Sequence, residues 1–301
     1  MRAAVIYNPT SGRDRGETIA SQVEERLRYR GMDVDLYGTQ APEDASRLAR
    51  AAAEAADVLV AVGGDGTMNE VANGLMDWAA EQRTRGVEVR PRLGIVPAGT
   101  VNVLALDLGI PFNTDKACEV IAAGKTTFLD VGKANGRSFV LMVGAGIDAL
   151  TIRNLDPVAK KRFRELAFLG TGLKTGLAAP PSEFIVRVGD EEHRATFVVA
   201  GNTHYYGGRF GVTPRADPSD GLLDLMIFTG TNRPSLAVFW LGVPSNLHLY
   251  SHNVRYLKAE RAEIRPLDPE QVIWFQTDGE LAGTLPVLVE IEPQALEVLV
   301  P

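Results

Sequence analysis

Cys118 is the chain's only cysteine, and His193, His204, His248 and His252 are its four histidines. A lone thiol excludes an internal disulfide and a thiolate metal cluster. Cys118 sits in an apolar helical stretch and reads as core. His248 and His252 are spaced i, i+4 but lack the glutamate of an H-E-x-x-H motif, so zinc is not expected. Positive charge is also short: 31 Lys and Arg face 38 Asp and Glu, a net charge of −7. No overall basic field is available for a phosphodiester backbone, so no nucleic-acid partner is expected. No run approaches the roughly 18 apolar residues that would span a membrane, and no apolar leader follows Met1-Arg2. A cytoplasmic protein is the expectation, with any membrane contact peripheral, at the inner surface.

A length of 301 residues suits two domains, and 45% hydrophobic content is normal for a globular chain. Strand and helix patterns alternate up to about residue 127. Strands are read at Ala3 to Tyr7, Val34 to Tyr37, Val58 to Val62 and Leu93 to Val96. Helices are read from about Glu17 until Gly31 stops the first, from Pro42, after Thr67, and from Asp115 to Ala123, closed by Gly124. This alternation predicts an N-terminal α/β domain with a doubly wound, mostly parallel sheet over 1–127. From Phe128 most segments read as strands, with helical pattern at Val158 to Leu177 and Ser235 to Leu241. The expectation is a C-terminal β-rich sandwich domain over 128–289, an active-site cleft between the two, and a last segment, 290–301, returning to the first domain.

The stretch Val62-Gly63-Gly64-Asp65-Gly66-Thr67-Met68-Asn69-Glu70 joins a buried strand to an amphipathic helix. Open α/β sheets bind ligands at such strand ends. Free N–H groups and the helix dipole favour an anion there, and glycine admits it without a Cβ in the way. A carboxylate repels phosphate, so Asp65 is assigned to Mg²⁺ or to a hydroxyl beside it.

Other loops offer related chemistry, each against a plainer reading. Asn8-Pro9-Thr10-Ser11-Gly12 is also a common turn. Pro97-Ala98-Gly99-Thr100-Val101-Asn102 repeats the strand-end arrangement of glycine with polar side chains. Asp217 and Asp220, with the Leu222 carbonyl, have hard oxygens for a cation, or form an Asp-rich turn before a strand. Thr277-Asp278-Gly279-Glu280 reads as a hairpin turn, or as two carboxylates at a strand end. Gly144-Ala145-Gly146-Ile147-Asp148-Ala149 fits G-x-G-x-x-A, but Asp156-Pro157 interrupts the helix that dinucleotide binding needs.

These blocks together resemble the diacylglycerol kinase catalytic-domain family and its sphingosine, NAD and phosphofructokinase kinase relatives. The resemblance rests on Gly63-Gly64-Asp65-Gly66-Thr67, Asn8 to Gly12, Pro97 to Asn102, Asn202 to Leu225 and Asp278-Gly279-Glu280, in the family's order. It implies an ATP- and Mg²⁺-dependent lipid kinase, with diacylglycerol as the acceptor and phosphatidic acid as the product. It places the nucleotide at Asn8, Thr39, Gly63, Gly64, Asp65, Gly66, Thr67, Asn69, Glu70, Gly99, Thr100 and Asn102. It places a structural magnesium at Asp217, Asp220 and Leu222, and makes Glu280 the general base, with Asp278 and Asp65 as further catalytic carboxylates. If both face the cleft, Asp278 raises the Glu280 pKa by like charge. Val103 stands where many diacylglycerol kinases have aspartate. This and Val71 to Met76 lean towards the sphingosine-kinase pattern, which leaves a sphingoid base or phosphatidylglycerol open as acceptor.

There is no Walker A lysine, so charge neutralisation is assigned to Mg²⁺, backbone amides and arginines. Lys160, Lys161, Arg162 and Arg164 border an apolar face in Val158 to Leu177. That segment is read as a contact with anionic lipid, at about 1 kcal/mol per basic residue, or as ordinary packing. An NAD kinase and a nucleotide-sensing module without turnover are the rival readings. A homodimer is left open.

Overall fold

The computed structural model describes residues 1–87, 92–147, 149, 182–206 and 208–301. They form two units, Met1–Asp130 with Gln294–Pro301, and Val131–Pro293. The basic segment containing Lys160, Lys161, Arg162 and Arg164, and Asp148 of the G-x-G-x-x-A stretch, lie outside the described residues.

In the first unit, β1 (Arg2–Tyr7), β2 (Asp33–Gly38), β3 (Val58–Gly63) and β4 (Arg92–Pro97) pair in the order β2-β1-β3-β4, all parallel. The end of β16 (Val287–Leu299) adds a parallel strand beside β4, through Glu297 and Val298. β3 is buried along its whole length, as its unbroken apolar run requires of a strand covered on both faces. The covering helices are α2 (Gly16–Tyr29), α3 (Asp44–Ala52), α4 (Asp65–Thr84) and α6 (Thr114–Ala123), with the short α1 (Ser11–Asp14) and α5 (Val103–Asp107). Ala20, Val23 and Leu27 form the buried stripe of α2 at i, i+3 and i+7. α6 starts with Asn113 accepting from the Lys116 N–H and ends at Gly124 with φ +71°. The order places β1 and β3 at the reversal of chain direction across the sheet, where such folds open a crevice.

The second unit is a sandwich of antiparallel strands. One sheet runs β12-β11-β10-β7-β14-β15: β12 (Val254–Ala259), β11 (Leu223–Phe228), β10 (Phe197–Gly201), β7 (Met142–Gly146), β14 (Trp274–Thr277) and β15 (Glu280–Thr284). The other contains β13 (Arg261–Pro266), β8 (Phe184–Val188) and β9 (Glu191–Ala195) beside β16, with β5 (Thr126–Ala134) and β6 (Arg137–Phe139). Alternate residues of both sheets fill one core: Val143 and Ala145, Phe184 and Val186, Val198 and Ala200, Leu223, Leu225 and Ile227, Val287 and Val289. Each large side chain fully buried there contributes roughly 1.5–3 kcal/mol. Gly144 to Gly146 belong to β7: Gly144 and Ala145 pair with both β10 and β14 and Gly146 pairs with β10, so this glycine pair is strand.

The opposite face of the β12–β15 sheet is covered by α7 (Arg233–Gly242). Asn232 caps it by accepting from the Ser235 N–H at 2.9 Å, and Pro234 stands in its first turn. Phe239 packs 4.8 Å from Phe228 and 5.6 Å from Phe197, and Trp240 lies 6.0 Å from Phe197. Ser138 to Val143 is divided between β6 and β7, while Ala295 to Val300 belongs largely to the long β16.

Candidate active site

In the first unit every expected nucleotide residue lies at or just beyond the carboxyl ends of parallel strands. Asn8 follows β1, Thr39 follows β2, Gly63 to Glu70 follow or end β3, and Gly99 to Asn102 follow β4. Backbone hydrogen bonds hold these ends together. The Asn8 N–H donates to Val62 O at 3.3 Å, the Thr39 N–H to Tyr7 O at 2.9 Å, and the Gly99 N–H to Gly63 O at 2.9 Å. Gly64 and Gly99 bring two loops face to face: a Cβ on Gly99 would sit 2.4 Å from Gly64 Cα. Gly12 belongs to the same edge, since a Cβ there would lie 3.2 Å from Ala98 O, and its φ of +62° already favours glycine.

The residues divide into those that build the loops and those that leave groups available. Asn102 is fully buried with φ +56°; its Oδ1 accepts from the Gly99 N–H at 3.0 Å and its Nδ2 donates to Gly99 O at 3.1 Å. It shapes the turn. Val103, next to it, is buried at the start of α5, which accounts for an apolar residue there. Glu70 Oε2 accepts from the Ala45 N–H at 3.0 Å and so docks α4 against the start of α3. Asn69 accepts from Asn73 Nδ2 one turn on. Asn8 Oδ1 accepts from the N–H and Oγ1 of Thr10, both at 2.9 Å, an Asx turn that holds the first loop. Thr67 is buried, its side chain against Gly63.

Gly64 opens α4 without any side-chain cap. The first turn of a twenty-residue helix thus brings its N–H groups to the glycine loop with no side-chain cap from Gly64. Asp65 is in that first turn, partly buried, and its Oδ1 accepts from the Leu104 N–H at 3.3 Å. Burial raises its pKa from the ordinary carboxylate value, against the opposing pull of the backbone N–H groups of Leu104, Val103 and Asn102. Such a carboxylate has been taken out of water at a cost that a bound cation would remove.

In the second unit Asp278 and Gly279, with φ of +50° and +85°, form the two-residue turn between β14 and β15. The Asp278 carboxylate accepts from the N–H groups of Val140, Leu141 and Met142, each at 2.9 Å. Asp278 is thus first a positioning residue, which pins the turn to the β6–β7 connection, a role the like-charge reading of the pair did not foresee. Glu280 is exposed at the start of β15, 3.7 Å from Arg137.

The aspartate loop is tied down as expected of turn chemistry. Asp217 Oδ1 accepts from Ser219 N–H and Oγ at 3.0 and 2.6 Å, and Asp220 Oδ1 from the Leu222 N–H at 3.0 Å. Lys258 Nζ donates to Asp220 Oδ2 at 2.6 Å and lies 3.2 Å from the fully buried Asp224. The sequence reading gave no role to Lys258 or Asp224; the only signal was Asp224 as the one polar residue, second in the otherwise apolar β11. Burial raises the Asp224 pKa, and the bond to Asp220 raises that of Lys258. No group of three or more His, Cys, Asp or Glu that could hold a metal occurs among the described residues. The candidate set is smaller, two carboxylates and a carbonyl.

Residues 2–134 match the family described as diacylglycerol kinase catalytic domain, and residues 141–300 the YegS C-terminal NAD kinase beta sandwich-like domain. The chain is 31% identical to a diacylglycerol kinase of Staphylococcus aureus (strain bovine RF122), over 95% of this chain and 88% of that one. It is 29% identical to a diacylglycerol kinase of Bacillus subtilis (strain 168), over 95% and 91%. Its fold superposes with a TM-score of 0.82 on the crystal structure of a candidate diacylglycerol kinase of Bacillus anthracis str. Sterne, at 25% identity over 100% of this chain and 95% of that one.

Proposed function

The chain belongs to the diacylglycerol kinase family and is a lipid kinase, and from that premise we propose that it transfers the γ-phosphoryl group of ATP to the hydroxyl of diacylglycerol. The observation that carries this reading is the strand-end edge of the first unit. There, glycines bring two loops within van der Waals contact beside the uncapped start of α4. Those backbone N–H groups are suited to the ATP phosphates, as preorganised donors that need no lysine. Asp65 would hold the nucleotide's Mg²⁺, which supplies charge neutralisation at the phosphates. Thr39, Thr67 and Thr100 are the side-chain hydroxyls assigned to the nucleotide. Asp217, Asp220 and the Leu222 carbonyl would hold a second, structural Mg²⁺.

In the proposed reaction the acceptor oxygen forms a bond to the γ-phosphorus as the bond to the β–γ bridging oxygen breaks. ADP leaves with that electron pair. Glu280 takes the hydroxyl proton, and the product is a phosphate monoester such as phosphatidic acid. Solvent exposure leaves the Glu280 carboxylate accessible to an acceptor. Asp278 contributes by holding the turn that carries Glu280. No helix among the described residues is long and apolar enough to cross a membrane. Because the proposed acceptor is a membrane lipid, we assign the enzyme a peripheral place at the inner membrane surface.

The test is incubation with γ-labelled ATP and Mg²⁺ and, separately, diacylglycerol, sphingosine, phosphatidylglycerol and NAD. Label in phosphatidic acid is expected. Label in NADP, or ATP binding without label in any acceptor, would replace this reading with an NAD kinase or a sensing module.

A further inference from the structure

Four large apolar side chains stand in solvent within one short stretch of the second unit. They are Val238 and Leu241 on α7, 62% and 77% exposed, and Leu247 and Tyr250 on the 3₁₀ turn Leu247–Tyr250, 62% and 82% exposed. The inner face of α7 is fully used, with Leu236, Phe239 and Trp240 buried against the sheet. Gly242 lets the 3₁₀ turn pack beside the helix end: a Cβ there would lie 2.7 Å from the His248 N. Phe239 and His248 meet edge-on at 5.5 Å across that junction. Val238 and Leu241 are i, i+3 on a helix, and Leu247 and Tyr250 are i, i+3 on a 3₁₀ turn, so each pair shares one outer face.

Charge distinguishes this patch from the rest of an acidic protein. No Asp or Glu stands between Asp224 and Glu260, whereas Arg233, in the first turn of α7, and His252, two residues after Tyr250, are exposed. Arg233 enters no ion pair among the described residues. We propose that the outer face of α7 and the 3₁₀ turn after it docks on an anionic lipid bilayer. Val238, Leu241, Leu247 and Tyr250 enter the headgroup boundary, and Arg233 meets a lipid phosphate. An apolar face with basic flanks is the combination that holds a helix in the interface, and tyrosine suits its polar–apolar boundary. A second copy of the chain is a poorer match. A two-fold pairing would set arginine against arginine with no acid to answer, and four side chains fall far short of the roughly 20 residues a side of a stable interface. The inference deepens the lipid-kinase reading by naming the surface through which the enzyme reaches its substrate.

The full chain is sedimented with vesicles of phosphatidylcholine alone and of equimolar phosphatidylcholine and phosphatidylglycerol. Binding to the second kind is expected. Leu241→Glu with Tyr250→Glu should weaken it by roughly tenfold or more, and Arg233→Glu should weaken it most at low salt. Tyr250→Trp keeps an aromatic ring, and brominated lipid should quench its added fluorescence relative to wild type. Activity on a water-soluble short-chain diacylglycerol should be unchanged in all these variants. Wild type that phosphorylates the short-chain lipid yet ignores anionic vesicles overturns the docking surface and leaves the kinase reading standing. Wild type that binds vesicles but phosphorylates no lipid does the reverse. No quenching at residue 250, or a Leu241→Glu/Tyr250→Glu variant that changes oligomeric state with vesicle binding intact, also overturns the proposal.

Discussion

Replacing Asp278 by asparagine separates the scaffold of the proposed base from the base itself. The carboxylate accepts three backbone N–H bonds of 2.9 Å, two at Oδ1 from Leu141 and Met142 and one at Oδ2 from Val140. Hydrogen bonds to a charged group contribute about 1.5–3 kcal/mol each. An asparagine oxygen can keep the Leu141 and Met142 bonds in weaker, neutral form. Its NH₂ group then faces the Val140 N–H, donor against donor. One bond lost and two weakened give a destabilisation of about 3 kcal/mol. Trp274 lies on the strand that leads into this turn, so urea unfolding followed by tryptophan fluorescence reads the change. Glu280→Gln is the control: its side chain is exposed, and its stability should stay within about 0.5 kcal/mol of wild type. An Asp278→Asn protein as stable as wild type would refute the positioning role.

Glu280→Gln should lower kcat by roughly 10²–10⁴-fold with ATP affinity, read by calorimetry, unchanged; near-normal kcat would return the base role to Asp65. Burial holds the Asp65 carboxyl above its ordinary value of 3.8, so the folded protein binds this proton where the unfolded chain has released it. Its contribution therefore lowers stability as pH rises from 3.8 through the raised value, and remains unfavourable at neutral pH. Asp65→Asn should accordingly raise the ligand-free Tm at neutral pH and narrow its gap to wild type in acid. Gly99→Ala would force a Cβ to within 2.4 Å of Gly64 Cα; a stability loss of about 1–3 kcal/mol and weaker ATP binding are expected, against no change if the loops can part. Mg²⁺ should raise the Tm of wild type and raise that of Asp220→Asn less; equal rises would leave Asp217 to Leu222 a plain turn.

The parallel sheet of the first unit was legible because each strand is a short apolar run ending in a glycine or polar loop, and each helix has a buried stripe such as Ala20, Val23 and Leu27. The placement of Asn8, Thr39, Gly63 and Gly99 on one edge followed from parallel pairing alone. What escaped was set by partners distant in sequence. Nothing near Asp278 signals that it bonds Val140 to Met142, and nothing near Glu70 signals the Ala45 N–H. Lys258 reaches Asp220 across a sheet register that local pattern does not encode. The short helix α5 escaped because five residues give no periodicity to read. The patch on α7 was read only as helical pattern, since apolar periodicity cannot tell which side of a helix the fold will cover.

The central claim is tested most directly by a single-turnover reaction of γ-labelled ATP and Mg²⁺ with diacylglycerol in mixed micelles. Wild type and Asp65→Asn are compared, and lipid and nucleotide are resolved at each time. Wild type should move label from ATP to phosphatidic acid with ADP formed in equal amount. Asp65→Asn, folded and no less stable without ligand, should leave the label in ATP. Label appearing as inorganic phosphate alone, or transfer to diacylglycerol at the wild-type rate by Asp65→Asn, would contradict the account.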